Sequence, residues 1–377
     1  MSTGIICEFN PFHNGHKYLI QKAKELTEEP IITVMSGSFT QRGEVALTDK
    51  YTRAKSALLN GADLVLELPV VYAVSNAERF ARCGVKILSS FADMNYLAFG
   101  CETDDIFKLK KASDAHNNAE VQALVAQGMK SGGYYPKILE NSVKSVLGDE
   151  ISEILSTPNN VLAVEYIRNL SEKIKPVPIK RMGVSHDSDK TCGEFASASR
   201  IRELMLNNQD VSKYLPIIPE KITNPGNLET ATLYKLRSMK PEEIAALPDV
   251  KEGLENRIYT AIRQYNSVKE IISAIKTKRY THARIRRIIT SALLGITEEM
   301  QNVDTGYVRV LGFTGRGAAL LKNSSLPVIT STATGLKLGG NIKQMLEKDI
   351  FSSDIAALAY PSPNKCGSDF TTPVIKI

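Results

Sequence analysis

Four short apolar runs near the start of this chain constrain its fold more than any other feature. They are Ile5–Phe9, Ile31–Met35, Asp63–Leu68 and Asn95–Phe99. They are apolar almost throughout rather than alternating, which is the pattern of strands buried on both faces. Between them lie stretches with helical spacing at about 15–27, 49–60 and 76–90. Strand and helix in alternation predict an α/β fold with a parallel sheet. Ligands of such sheets sit beyond the carboxyl ends of the strands. Those ends here are polar or flexible: Glu8 and Asn10, Ser36-Gly37-Ser38, Glu67, and Gly100-Cys101-Glu102.

The first strand end carries the densest signal, Glu8-Phe9-Asn10-Pro11-Phe12-His13-Asn14-Gly15-His16. The strand runs through a Pro-containing turn into a helix that continues as Lys17-Tyr18-Leu19. His13 and His16, three residues apart, are expected on one face of the first helical turn. Unpaired N–H groups and the positive dipole end make that turn a prepared anion site. Gly15 is expected to let a ligand approach the backbone. Two alternatives stand beside this reading. The histidines are surface or core groups with satisfied hydrogen bonds, or they bind a metal. A metal would need a third ligand, and no Cys/His cluster follows at zinc spacing. Phosphate chemistry is favoured.

The other stretches add a second half. Residues 103–175 read as helical, with a helix starting at Pro158-Asn159-Asn160. A last strand, Val177–Met182, contains Pro178, follows Pro176 and is expected at an edge. After a loop rich in Ser, Asp and Gly, Ser197-Ala198-Ser199-Arg200-Ile201-Arg202 opens another helix with capping serines. A Pro-rich connector, Leu215–Pro225, then breaks the pattern. Helices are expected at about 228–238, 241–247 and 251–276, strands at Tyr307–Leu311 and Pro327–Thr330, and helices after Thr314 and over 341–359. From Lys269 to Arg287 there are seven Lys or Arg against one acid, Glu270, and that surplus equals the net charge of +6 of the whole 377-residue chain. Ile285, Ile288, Ile289, Ala292 and Leu293 form an apolar stripe, leaving the arginines on the other faces. A plain solvated face and a polyanion surface that includes Tyr280 are the two readings.

No window is long and apolar enough for a membrane span. The N-terminus goes straight into a strand without a basic leader. Five scattered cysteines without a CxxC pair fit free thiols in a reducing, cytoplasmic setting.

With these stretches placed, the N-x-x-H-x-G-H signature and the later serine–arginine segment resemble nucleotidyltransferases of the HIGH superfamily. The longer set resembles the tRNA(Met) cytidine acetate ligase family more closely. That set comprises Glu8–His16, Met35–Glu44, Asp63–Pro69, Phe99–Glu102, Pro158–Asn160 and Arg279–Thr281, and the match spans nearly the whole chain. The resemblance implies a Rossmann-like nucleotidyltransferase domain over 1–205 and a mainly helical, tRNA-binding domain over 206–377. It implies a ligase that uses ATP and Mg²⁺ to activate acetate as acetyl-adenylate. The acetyl group then passes to the wobble cytidine of elongator tRNA(Met). No membrane and no stable protein partner is implied. His13 and His16 would be catalytic. ATP would be held by the run Ile6, Cys7, Glu8, Phe9, Asn10, Pro11, Phe12, His13, Asn14, Gly15, His16, Lys17, Tyr18 and Leu19. Gly100, Asn159, Asn160 and Arg181 would join it, and Ser197, Ser199 and Arg202 would hold the departing pyrophosphate. Arg279, Tyr280, Arg284, Arg286 and Arg287 would contact RNA. Lys50, Arg53 and Arg42 are further candidates for phosphate or tRNA, or plain surface charges. The serine segment departs from the family pattern at Ala198, as do Cys101 and the loop Met182-Gly183-Val184-Ser185-His186-Asp187. A small-molecule adenylyltransferase and a non-catalytic nucleotide- or RNA-binding protein are the competing functions.

Overall fold

A computed structural model describes residues 1–182, 191–251, 253–277 and 279–377. The expected loop at 183–190 and Lys278 of the basic run lie outside the described residues. The predicted strands form as β1 (Ser2–Cys7), β2 (Ile31–Ser36), β3 (Leu64–Leu68), β4 (Met94–Cys101) and β5 (Lys175–Lys180). Helices α1 (Asn14–Thr27), α2 (Lys50–Leu59) and α3 (Ala77–Ser89) connect the first four. Helices α4 (Ile106–Asp114), α5 (Ala119–Lys130), α6 (Tyr135–Leu147) and α7 (Pro158–Asn169) lie between β4 and β5. Successive side chains of β1 leave on opposite faces. Ile5 joins a core with Ile20 and Ala23 of α1 and Ala54 and Ala57 of α2. Ile6 joins the other core, with Phe80 of α3 and Val164 of α7. Both faces are covered, as the unbroken apolar runs require.

Helix α8 (Ala198–Leu206) follows, then α9 (Glu229–Ser238), α10 (Leu254–Gln264), α11 (Val268–Ile275) and α12 (His282–Leu294). The predicted helix over 251–276 is thus two, parted at Tyr265-Asn266-Ser267, where Ser267 caps α11 through Glu270 N. Helices α9 to α12 bury a core of their own around Leu236, Ile258, Ile271 and Ile288.

The chain then returns to the sheet. Strand β6 (Val308–Phe313) pairs antiparallel with β3. Strands β7 (Val328–Ile329) and β8 (Ile375–Lys376) pair parallel with β6, and α13 (Gly340–Ala357) lies between them in sequence. The order is β8-β6-β3-β2-β1-β4-β5, with β7 also on β6, eight strands in all. One sheet therefore crosses the expected boundary at residue 205. Local pattern does not reveal this because the pairing of β6 with β3 is a contact between distant parts of the chain. Strand β5 is at the edge, as Pro176 and Pro178 demand. The sequence moves outward through β1, β2 and β3 on one side and then crosses to β4, so the topological switch point lies between β1 and β4.

Two of the polar strand ends are filled by side chains of the protein itself. At the end of β3, Glu67 accepts from Lys50 Nζ at 2.8 Å and pairs with Arg309 at 3.1 Å. Lys50 also reaches Asp369 at 2.6 Å, and all four side chains are buried. Arg53 is equally buried and donates to the carbonyls of Glu8, Ser36, Gly37 and Thr48. Lys50 and Arg53 are therefore buried structural cations, which neither alternative, a phosphate or tRNA contact or a plain surface charge, foresaw. The carbonyls at the ends of β1 and β2 and the carboxylate of β3 need donors, and α2 places both cations against them.

Candidate active site

The turn after β1 is built by burial on one side and capping on the other. Phe9 sits at φ 49°, a region costly for a bulky residue. Its ring is fully buried against Phe12 and His16, at centroid distances of 4.9 and 5.0 Å. Asn10 Oδ1 accepts from Leu47 N at 2.7 Å, and the Asn10 carbonyl accepts from Arg202 Nη1 at 2.9 Å. The Asn10–Pro11 peptide is cis.

His13 lies outside the helical turn and serves as the N-cap of α1. Its Nδ1 accepts from Gly15 N at 3.0 Å, while His16 Nδ1 accepts from His13 N at 3.3 Å, a reciprocal capping box. The two rings stack at 3.7 Å. With each Nδ1 an acceptor, the proton of the neutral ring is on Nε2. Both rings are held neutral. Burial lowers the His13 pKa to about 3, helped by the Arg181 and Arg202 charges. Burial, His13 and Arg181 push His16 well down, against the Pro11 carbonyl. Gly15 has a different use from the one expected. A Cβ there would meet His13 Cε1 at 2.9 Å, so the missing side chain makes room for the capping ring and not for a ligand.

These groups open on one cavity of about 850 Å³ at the carboxyl ends of β1 and β4. It is lined by Ile6, Cys7, Glu8, Phe9, Asn10, His13, His16 and Leu19 from the first run, with Gly100, Asn159, Arg181, Ser197, Ser199 and Arg202. The turn after β1 and the segments near residues 100, 159, 181 and 199 thus meet in space. Pro11, Phe12, Asn14, Gly15, Lys17, Tyr18 and Asn160 do not line it. Phe12 and Tyr18 pack in the core. Asn14 ties the carbonyls of Glu194 and Lys213. Asn160 is buried, and its Oδ1 accepts from Glu102 N and Thr103 N at 3.0 and 3.1 Å. It shapes the loop after β4, and Asn159 Nδ2, at 2.6 Å from Glu102 Oε1, is the member that reaches the cavity.

Three helix N-termini converge there: α1 through His13 and His16, α7 through Thr157, Pro158 and Asn159, and α8 through Ser197 and Ser199. Each contributes backbone N–H groups and a positive dipole end. Ser197 caps α8 by accepting from Arg200 N at 3.1 Å. Arg202 Nη2 is 3.4 Å from Ser199 Oγ. Two buried polar atoms of the lining, Arg181 Nε and Thr157 Oγ1, have no hydrogen-bond partner among the described residues. A cationic donor and a hydroxyl left unpaired together mark a place for an anionic ligand. Residues that sequence reasoning missed close the other side: Gln41, Tyr134, Lys137, Glu140 and Tyr166. They come from a loop and from helices whose local pattern is ordinary.

None of the expected RNA contacts lines this cavity. Tyr280 is buried in the helical core, so its ring offers no face to a base, contrary to expectation. The arginines around it are engaged. Arg284 Nη2 donates to the Asp249 carbonyl at 2.5 Å, Arg287 pairs with the Asp249 carboxylate at 3.7 Å, and Arg286 with Glu44 at 2.5 Å. Arg279 Nε donates to the Gly132 carbonyl at 3.1 Å. Among the described residues no helix is long and apolar enough to cross a membrane, and no group of three or more His, Cys, Asp or Glu is placed to hold a metal ion.

A mostly parallel sheet whose first strand leads through a turn to His13-Asn14-Gly15-His16 above such a cavity defines a nucleotidyltransferase, and the HIGH Nucleotidyl Transferase family model matches residues 1–369. A tRNA(Met) cytidine acetate ligase of Thermoanaerobacter sp. (strain X514) is 41% identical, with 99% of each chain covered. One from Caldanaerobacter subterraneus subsp. tengcongensis is 39% identical over 100% of each. The chain belongs to the tRNA(Met) cytidine acetate ligase family. Thermotoga maritima TmcAL in its apo form superposes with a TM-score of 0.93 at 30% identity, covering 100% of this chain and 99% of the other. Its complex with alpha-thio ATP superposes at 0.90 with 29% identity and the same coverage.

Proposed function

We propose that this protein activates acetate with ATP as acetyl-adenylate and then acetylates the N4 amine of the wobble cytidine of elongator tRNA(Met), in the cytoplasm. The observation that carries the reading is the convergence of three helix N-termini and the unpartnered Arg181 Nε on one cavity beside His13 and His16. Attack of a carboxylate on the α-phosphorus needs no protein nucleophile. It needs in-line placement and stabilisation of the charge that grows on the phosphates. Neutral His13 and His16 donate from Nε2 to the phosphates without charging first. Arg181 and the α7 N-terminus hold the nucleotide at the β1/β4 switch point, where Gly100 leaves its backbone bare. Ser199, Arg202 and the α8 N-terminus receive the pyrophosphate. Mg²⁺ enters with ATP as part of the substrate, on its phosphate oxygens. The lobe of α9 to α12 takes the tRNA, with Arg286 and Arg279 at its face toward the sheet.

The test is to incubate the purified protein with ATP, Mg²⁺ and acetate, with and without tRNA, following pyrophosphate release and RNA acetylation. Acetate-dependent ATP–pyrophosphate exchange without tRNA, and acetylated cytidine with it, are expected. Neither product, or a requirement for acetyl-CoA, would overturn the reading.

A further inference from the structure

Glu8 is out of place in a cavity built for anions. Both ATP and acetate are repelled by a carboxylate, yet Glu8 lines the cavity. The two other lining carboxylates, Glu44 and Glu140, are paired with Arg286 and Lys137 at 2.5 and 2.7 Å. No cation among the described residues lies within ion-pair distance of Glu8. The group is nonetheless carefully held. Its Oε1 accepts from Gln41 N at 2.6 Å, and its backbone carbonyl accepts from Arg53 Nη1 at 2.7 Å. That leaves Oε2 for another donor.

Within the shared cavity Glu8 lies toward the flank of β1 that faces the loop after β2. The nucleotide crevice lies between β1 and β4, whereas Glu8 is bonded to the loop after β2, on the other flank of β1. The same loop carries Gly43, whose carbonyl accepts from Thr290 of α12. The carboxylate thus sits between the activation site and the basic lobe. Acetate brings no N–H group, whereas the adenine amine of ATP and the cytidine amine both do; the bond of Glu8 to the loop that meets the basic lobe favours the cytidine amine.

We propose that Glu8 is the general base of the acetyl-transfer step, an inference that rests on the ligase reading. The N4 lone pair attacks the carbonyl carbon of acetyl-adenylate and a C–N bond forms. The C–O bond to AMP breaks, its electron pair leaving on the phosphate. The amine proton passes to the free Glu8 oxygen and then to solvent. A base must hold a proton transiently. Burial raises the Glu8 carboxyl above its ordinary value, opposed by the Gln41 N–H and the charges of Arg202, Arg53 and Arg42. Cys7 beside it and Tyr166 of α7 are the other titratable neighbours, and burial holds both neutral.

The test compares two half-reactions in Glu8→Gln, whose amide oxygen can still accept from Gln41 N. Acetyl transfer to tRNA from preformed acetyl-adenylate is expected to fall at least a hundredfold. Acetate-dependent ATP–pyrophosphate exchange should fall less than tenfold, with unchanged dependence on Mg²⁺ concentration. The wild-type transfer rate should rise with pH through one ionisation that the variant lacks. Glu8→Asp, which keeps a base, should recover transfer at least tenfold over Glu8→Gln. If Glu8→Gln does not fold, a wild-type-like pH profile in Glu8→Asp carries the test alone, and a flat one overturns the role. Equal losses in exchange and transfer, or an altered Mg²⁺ dependence, would make Glu8 a nucleotide or metal ligand and overturn it too. Transfer at the wild-type rate in Glu8→Gln would do the same. Absence of exchange in the wild-type protein would instead refute the ligase reading itself.

Discussion

Thr290 of α12 donates its hydroxyl to the carbonyl of Gly43 at 2.7 Å, so the basic helix is bonded to the loop whose Gln41 holds Glu8. Gly43 is at φ +73°, and a Cβ there would fall 2.7 Å from Arg286 C and Arg287 N. Gly43→Ala combines backbone strain with a clash against main chain and is expected to cost about 1–3 kcal/mol. Thermal melting should show the loss. In the two half-reactions, acetyl transfer to tRNA should fall several-fold more than ATP–pyrophosphate exchange, because the displaced element is the lobe and not the nucleotide crevice.

The capping role of His13 can be parted from its chemistry. Asn is a good N-cap, so His13→Asn should keep α1 anchored, whereas His13→Ala should lose a further ~1 kcal/mol in denaturant titration. Both should lose acetate-dependent exchange by at least about a hundredfold, the scale of one removed transition-state donor. His13→Asn with normal exchange would make the ring a cap only.

The same histidine sets an acid limit on stability. Its pKa is about 3 when folded against an ordinary 6.5. Between these values the unfolded chain binds a proton that the folded protein refuses. Stability from this group is therefore full above pH ~6.5 and declines as pH falls toward ~3. Melting temperatures measured from pH 8 to 5 should fall more steeply for wild type than for His13→Asn. Taking the difference removes the contribution of groups away from His13, including Asp349, which burial beside Glu67 raises to about 7. His16, whose pKa His13 helps to lower, adds to the difference in the same direction.

Lys50→Met would leave Glu67 and Asp369 short of a cation in a dry site. Breaking a buried ion pair from one side costs about 3–5 kcal/mol. Chemical denaturation should register this loss. Bound ATP or tRNA should protect the variant as much as wild type, since Lys50 reaches neither.

In the basic lobe, Tyr280→Ala should destabilise by about 3–5 kcal/mol, as for other buried aromatics. Arg286→Ala is the cleaner probe of RNA. It should weaken tRNA binding and reduce the slope of log affinity against log salt by about one if Arg286 contacts a phosphate. An unchanged slope would confine Arg286 to its bond with Glu44.

By itself the sequence determined the first four strands, their helices and the strand-to-helix turn at residues 4–16. Those are local: apolar runs, periodicity, capping serines and a histidine pair written within a few turns of chain. The serine–arginine segment near 200 was legible for the same reason. Tertiary structure decided everything that depends on partners distant in sequence. It drew β6 and β8 back into the sheet across a boundary that local pattern had placed at residue 205. It turned Lys50, Arg53 and Tyr280 inward, because burial depends on what packs opposite and not on residue type. It spent the freedom of Gly15 on the His13 ring. It also paired Glu44 and Glu140 with cations while, among the described residues, bringing none within ion-pair distance of Glu8. A carboxylate in a cavity is defined by which charges reach it, and only folding sets those distances.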